Sequence, residues 1–152
     1  AIDLDVPIIV HSRSAEKETF DILNQYKNSN IKDYEIILST LNGDVTMNNL
    51  IKNEIETYSK KNSSNQYIVE LNSSYSKKTI SRDSSGIASN YELMVVANFT
   101  VGSENFIFKE KLNVKKISDT IEQRNYENII KKNFAASIRE KLLIKLLNKN
   151  DN

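Results

Sequence analysis

Basic side chains cluster at one polar turn of the sequence. Lys77, Lys78 and Arg82 lie next to Asp83–Gly86, a run of Asp, Ser and Gly that predicts the loop of a β-hairpin. Arginine binds phosphate through paired hydrogen bonds, and lysine binds it as a point charge. The spacing therefore indicates either a loop that binds a phosphorylated ligand or a group of ordinary surface cations.

Catalytic chemistry has little support in the sequence. His11 is the only histidine and there is no cysteine, which excludes disulfides, thiolate metal sites and cysteine nucleophiles. Metal-assisted hydrolysis needs several ligands that hold an ion and an activated water. Neither a nucleophile elbow nor the order of a catalytic triad is evident among the serines and carboxylates. We therefore expect that the protein is not an enzyme and that it has no catalytic residues, no metal site and no cofactor.

The composition is that of an ordinary globular protein. A chain of 152 residues with 39% hydrophobic side chains is long enough for a compact core. Its 21 basic and 20 acidic side chains leave a net charge of +1, so no overall field favours nucleic acid as a partner. No apolar run reaches the roughly 20 residues that a membrane-spanning helix requires.

Hydrophobic periodicity predicts the elements that carry the basic turn. They are, in order, a strand at 34–42, a helix at 47–60, strands at 67–80, 90–101 and 106–114, and a long helix from about 119. Asp44 or Thr46 is the candidate N-cap of the first helix, and Asp119 with Glu122 forms a capping pair for the second. Two hairpin turns are predicted, at 82–86 and at 102–105.

The apolar positions predict one buried sheet face and one buried helix stripe. In the third strand they fall on odd numbers: Tyr91, Leu93, Val95, Ala97, Phe99 and Val101. In the fourth strand they are Phe106, Phe108, Leu112 and Val114. In the last helix they are Tyr126, Ile129, Ile130, Phe134, Ile138, Leu142 and Leu143. Met94 and Val96 make the opposite sheet face partly apolar, so that face could contact a partner.

The order β-α-β-β-β-α predicts an α+β two-layer sandwich. Its mixed, mainly antiparallel four-stranded sheet would have two helices covering one face. An extra βα segment precedes it, with a strand at 6–10 and a helix at 15–26. The predicted domains are 1–32 for this segment and 33–152 for the sandwich.

Six segments with distinct local patterns follow one another between residues 34 and 147: Ser39–Asp44, Asn48–Ile55, Ile80–Gly86, Tyr91–Leu93, Asn125–Ile130 and Ile138–Leu146. In this order, they resemble the LptE family of lipopolysaccharide-assembly lipoproteins. The resemblance covers about three quarters of the chain and rests on the series in order, because no single piece is diagnostic.

This resemblance implies a non-catalytic outer-membrane subunit on the periplasmic side. Such proteins sit inside the LptD β-barrel, assist its assembly and bind lipopolysaccharide, and they carry a lipid anchor on a cysteine that this sequence lacks. It also implies a basic lipopolysaccharide-binding residue at the hairpin tip, where Arg82 matches, with Lys77 and Lys78 beside it. Arg124 is the nearest counterpart of a second basic position, before the last helix.

The apolar run Val6-Pro-Ile-Ile-Val10 is followed by His11-Ser-Arg13. With this motif, residues 1–26 resemble one βα unit of TatD-type metal-dependent hydrolases. There the histidine that matches His11 is a metal ligand, which raises the alternative of a metal-dependent deoxyribonuclease fragment. One strand and helix of a (β/α)₈ barrel cannot supply the remaining ligands, so we expect residues 1–32 to have no hydrolase activity. A second alternative is a generic periplasmic interaction domain with another partner.

Overall fold

The computed structural model describes residues 34–149, which belong to a compact unit spanning Asp33–Asn152. Its elements are β1 (Tyr34–Gly43), α1 (Val45–Tyr58), β2 (Asn65–Arg82), β3 (Ala88–Val101), β4 (Glu104–Lys115) and α2 (Thr120–Lys149). The predicted order and the α+β class are confirmed. The expectations for residues 1–32, including the βα segment and the domain boundary, concern residues outside the described range.

The sheet is mixed, as predicted, with the strand order β1-β2-β3-β4. β1 and β2 run parallel because α1 connects them as a crossover, and the other neighbours are antiparallel. The β2–β3 hairpin has a register that runs from Glu70↔Thr100 to Arg82↔Ala88. The pairing of β3 with β4 extends to Asn90↔Lys115, so the loop of the β2–β3 hairpin extends past the end of β4.

Both helices cover the same face of the sheet and share one hydrophobic core. Odd-numbered side chains of β3 from Leu93 to Val101 are buried while their neighbours are partly exposed, which confirms the predicted alternation. The helices contribute Met47, Ile51, Ile55, Ile130, Phe134, Ala135, Ile138, Leu142 and Leu146. Tyr91 and Phe106 pack against this core as partly buried side chains.

The predicted stripe of α2 is wrong at its N-terminal end. Tyr126 and Ile129 are exposed, at 41% and 56%. Two polar residues occupy the inward positions there. Gln123 is buried and its side-chain oxygen accepts the Ile117 N–H at 2.6 Å. Glu127 forms an ion pair with Lys77 of β2. Since Tyr126 is about 100° round the helix from Glu127, a polar inward face turns the tyrosine outward.

Two smaller expectations also need correction. Leu112, expected on the buried face of β4, is 41% exposed. The β3–β4 turn has only two residues, Gly102 and Ser103, because Glu104 already pairs with Val101. Gly102, the first of the two turn residues, has φ +62°. This angle suits a type II′ turn, which is common in two-residue hairpins.

Aspartates begin both helices. Asp44 accepts the Met47 N–H at 2.8 Å, which selects it over Thr46 as the N-cap of α1. Asp119 accepts the N–H groups of Ile121 and Glu122 at 2.7 and 2.9 Å at the start of α2. Both capping residues were predicted from the sequence.

A tight junction fixes the start of α1 against β2. The Asp44 N–H donates to the Ser73 carbonyl at 2.8 Å, and the Ser73 hydroxyl donates to the Asn48 side-chain oxygen at 2.7 Å. The other end of that amide donates to the Asn42 carbonyl at 2.8 Å. Gly43, between the strand and the helix, has φ +90°. The polar groups of this junction are therefore paired where the chain reverses.

Tyr75 has a phenol oxygen that is buried without a hydrogen-bond partner. Burial, and then the carboxylates of Glu127 and Asp44, raise the pKa of Tyr75 to about 12. We expect Tyr75→Phe to be about 1 kcal/mol more stable in urea at pH 7, because it removes an unpaired buried group. Since the unfolded chain loses this proton first, wild-type stability should fall between pH 10 and 12, and fall less in the variant.

The matched control for Tyr75 is a tyrosine of the same strand that does have a partner. The Tyr67 hydroxyl donates to the Leu146 carbonyl at 3.4 Å, so Tyr67→Phe should lose about 0.5 kcal/mol or more. If both variants lost stability equally, the unpaired phenol of Tyr75 would not be a destabilising feature.

Candidate binding surface at the hairpin tip

The loop at 83–87 has a fixed shape because Asp83 organises it. The Asp83 carboxylate accepts the N–H groups of Ser85 and Ile87, both at 2.9 Å. Backbone hydrogen bonds join Asp83 to Ile87 at 2.8 Å and to Gly86 at 3.0 Å. The Arg82 guanidinium donates from Nη1 to the Gly86 carbonyl at 2.8 Å. This bond uses one of its five N–H donors and orients the group on the loop.

Two apolar side chains close to this arginine in sequence are exposed. Ile80 is 44% exposed and Ile87 is 53% exposed, and both lie within five residues of Arg82 on the exposed hairpin end. This end of the hairpin therefore carries an oriented cation and two exposed isoleucines. Such a surface can pair with a phosphate and, beside it, contact hydrocarbon.

The two lysines predicted to assist Arg82 lie on opposite faces of the sheet, because consecutive strand residues alternate. Lys77 lies on the helix-covered face, where its ammonium is 2.5 Å from a Glu127 carboxylate oxygen and 4.1 Å from the centre of the Tyr91 ring. Lys78 lies on the other face, in register with Glu92. Along β2 they are about 16 Å and 13 Å from Arg82.

Arg124 lies on a different element, in the exposed first turns of α2. No hydrogen bond or ion pair within residues 34–149 joins it to the hairpin loop. The structure thus does not bring the four cations predicted to bind lipopolysaccharide into one site. The binding roles of Arg82, Lys77, Lys78 and Arg124 stay predictions.

A group of lysines that the sequence analysis did not single out lies on the sheet face opposite the two helices. Lys109 and Lys111 on β4 are exposed and lie in register with Val96 and Met94. Alternation in each strand was visible in the sequence. The register that places these lysines beside Met94 and Val96 depends on strand pairing, which the sequence alone did not supply.

A cleft of about 520 Å³ lies between β1 and α1. Several polar groups in its lining have structural contacts. Ser59 accepts the Ile36 N–H at 2.9 Å, Glu35 accepts from the Gln66 amide at 2.8 Å, and Lys52 pairs with Glu56 at 3.7 Å. The first contact joins the end of α1 to β1, the second joins β1 to β2, and the third lies within α1. We assign no chemistry to the cleft.

The described residues offer no metal centre. Within 34–149, no three His, Asp or Glu side chains are grouped so that they could hold an ion. The candidate ligand of the hydrolase alternative, His11, falls outside that range. None of the helices in the same part of the chain has the length and hydropathy needed to cross a bilayer.

Solved structures with a similar fold are lipoproteins. Rare lipoprotein B from Shewanella oneidensis aligns with a TM-score of 0.51 and 16% identity, covering 75% of this chain and 98% of that one. A protein assigned as a lipoprotein from Caulobacter crescentus aligns with a TM-score of 0.58 and 11% identity, covering 81% and 93%. No family model and no curated protein matches the sequence. At these identities, the similarity shows a shared fold.

Proposed function

We propose that this chain is a non-catalytic subunit of lipopolysaccharide assembly that binds the LptD barrel and contacts lipopolysaccharide through its hairpin tip. The observation that carries the proposal is the hairpin end, where the Gly86 carbonyl orients Arg82 and where Ile80 and Ile87 are exposed. The fold shared with rare lipoprotein B supports it.

The chemistry of lipopolysaccharide suits this tip. Its lipid A part carries phosphate groups next to acyl chains, so a ligand-binding surface needs a cation adjacent to apolar side chains. Arginine binds phosphate through two parallel hydrogen bonds. Binding of this kind orients the ligand without any bond-making step, which agrees with a protein that acts by association.

The proposed location is the periplasmic side of the outer membrane. The similar structures are described as lipoproteins, which supports attachment through a lipid anchor. The partner in this proposal is the LptD barrel, and the basis for it is the resemblance of residues 34–147 to the LptE family.

The first experiment is a pull-down of the full chain against LptD from the same source, followed by lipopolysaccharide titration of the purified protein. We expect co-purification, and we expect Arg82→Ala to weaken lipopolysaccharide binding about tenfold or more, since a charge-assisted hydrogen bond contributes about 1.5–3 kcal/mol. Arg82→Lys keeps the charge but not the paired geometry, so its affinity should be intermediate.

Lys132→Ala is the matched control, because it removes an exposed cation from α2. Equal affinity of the Arg82→Ala variant and this control would contradict a binding role for the hairpin tip. A well-folded chain that did not co-purify with LptD would instead favour an interaction domain with another periplasmic partner. DNA cleavage on addition of a divalent metal would favour the hydrolase alternative.

A further inference from the structure

The sheet face opposite the helices carries an excess of positive charge toward one end. In the half of this face nearer the β2–β3 loop, the charged side chains are Lys78, Glu92, Lys109, Lys111 and Lys115. We call this group the lysine face. All four lysines belong to exposed residues. Glu35 and Glu70 lie on the same side of the sheet but toward its other end. The lysine face therefore combines four positive charges with one negative charge.

Three of these lysines form a row along the edge strand β4. Alternate residues of a strand are about 7 Å apart, so Lys109, Lys111 and Lys115 span about 20 Å. Glu92 interrupts the positive charge because its carboxylate is 3.3 Å from the Lys111 ammonium. A change of charge at Glu92 is therefore a direct way to alter the field of the whole row.

Apolar side chains accompany the row. Ile107, the next outward-facing residue of β4, is 67% exposed. Met94 and Val96 lie in register with Lys111 and Lys109 and are half-buried. Lysines beside an exposed isoleucine on a broad sheet form a surface that is both cationic and partly apolar.

The residue type distinguishes a lipid surface from a shaped site. Every cation of the lysine face is a lysine, a compact and strongly hydrated charge without the fixed fork of arginine. Such charges suit a plane of many mobile phosphates, to which each basic residue adds an attraction that does not depend on exact geometry. Charges on an edge strand also discourage edge-to-edge pairing, but that role does not require one sign of charge.

We propose that the lysine face lies against an anionic phospholipid surface and binds its phosphate headgroups. This contact uses a sheet face distinct from the Arg82 tip, and it requires neither LptD nor lipopolysaccharide. It adds a second, electrostatic mode of membrane association to the function proposed above. The attraction should weaken with salt, because exposed charges are screened.

Co-sedimentation of the full chain with phosphatidylglycerol vesicles tests this proposal, with phosphatidylcholine vesicles as the uncharged comparison. Removal of one lysine should weaken binding about fivefold, so Lys109→Gln with Lys111→Gln should lose roughly twentyfold. Glu92→Gln should strengthen binding severalfold, because it frees Lys111 from its ion pair. A gain of binding in a variant with unchanged urea unfolding cannot result from damage to the fold.

The control is Lys132→Gln with Lys145→Gln, the same change of charge on exposed residues of α2. The proposal is overturned if this control loses as much binding as the double variant of β4, or if Glu92→Gln binds no better than the parent. Binding to beads coated with polyglutamate but not to the vesicles would also overturn it, in favour of an acidic protein partner. Since the assay contains no LptD and no lipopolysaccharide, its failure leaves the proposed function of the hairpin tip intact.

Discussion

Replacement of Gly43 by alanine is expected to destabilise the protein by about 3 kcal/mol or more. Gly43 has φ +90°, a conformation that costs residues with a Cβ about 1–2 kcal/mol. A Cβ at this position would lie 1.9 Å from the Ser73 carbonyl oxygen. The backbone must move to relieve that overlap, and the 2.8 Å hydrogen bond from Asp44 to the same carbonyl would then be lost.

A second glycine supplies the control for Gly43. Gly86 has φ +77°, but no atom lies within 4 Å of the Cβ that alanine would add there. Gly86→Ala should therefore cost only the backbone strain of about 1–2 kcal/mol. Urea unfolding of both variants separates the effect of the steric overlap with Ser73 from the effect of backbone strain at a positive φ. Equal losses at the two positions would contradict the steric role of the Ser73 carbonyl.

The junction at Gly43 was only partly predictable from the local sequence. The run Asn42–Asp44 indicated the end of a strand and a helix cap, and both are confirmed. The reason that Gly43 is required is a contact with Ser73, thirty residues further along the chain. That contact depends on the parallel pairing of β1 with β2, which residue spacing in the two strands does not specify.

The pattern of buried residues was predictable where apolar spacing alone determines it. Strand β3 has a single alternating face, and its odd-numbered residues from Leu93 onward are buried as expected. The first turns of α2 differ because Glu127 faces the sheet and pairs with Lys77. An ion pair between the helix layer and the sheet layer leaves no periodic signal, so Tyr126 was assigned to the wrong face.

The candidate site was partly predictable for a related reason. The turn composition located the hairpin loop and its arginine, Arg82, which the structure places on an ordered tip. The two adjacent lysines were grouped with it by proximity in sequence, although the alternation of a strand requires Lys77 and Lys78 to face opposite ways. The row at Lys109 and Lys111 depends on the pairing of β4 with β3, a relation between distant segments.

Replacement of Phe99 by alanine should have the largest effect among core substitutions. Phe99 is fully buried, and its ring centre is 5.9 Å from that of Phe108 on the neighbouring strand. Removal of a buried phenylalanine ring costs about 3–5 kcal/mol, through lost transfer free energy and the cavity that remains. Domains of this size are stable by only about 5–15 kcal/mol, so the variant should be partly unfolded or unfold at much lower urea concentration.

The comparison for Phe99 is Ile107→Ala on the adjacent strand. Ile107 is 67% exposed on the opposite sheet face, so its loss should change stability by less than about 0.5 kcal/mol. Urea unfolding followed by far-ultraviolet circular dichroism gives both values. Similar losses for the two variants would mean that the exposed face is covered in solution, and the two-layer arrangement with a single buried sheet face would be wrong. A large difference would agree with a sheet that has its core on the helix side and with the exposure of Ile107 beside the lysine face.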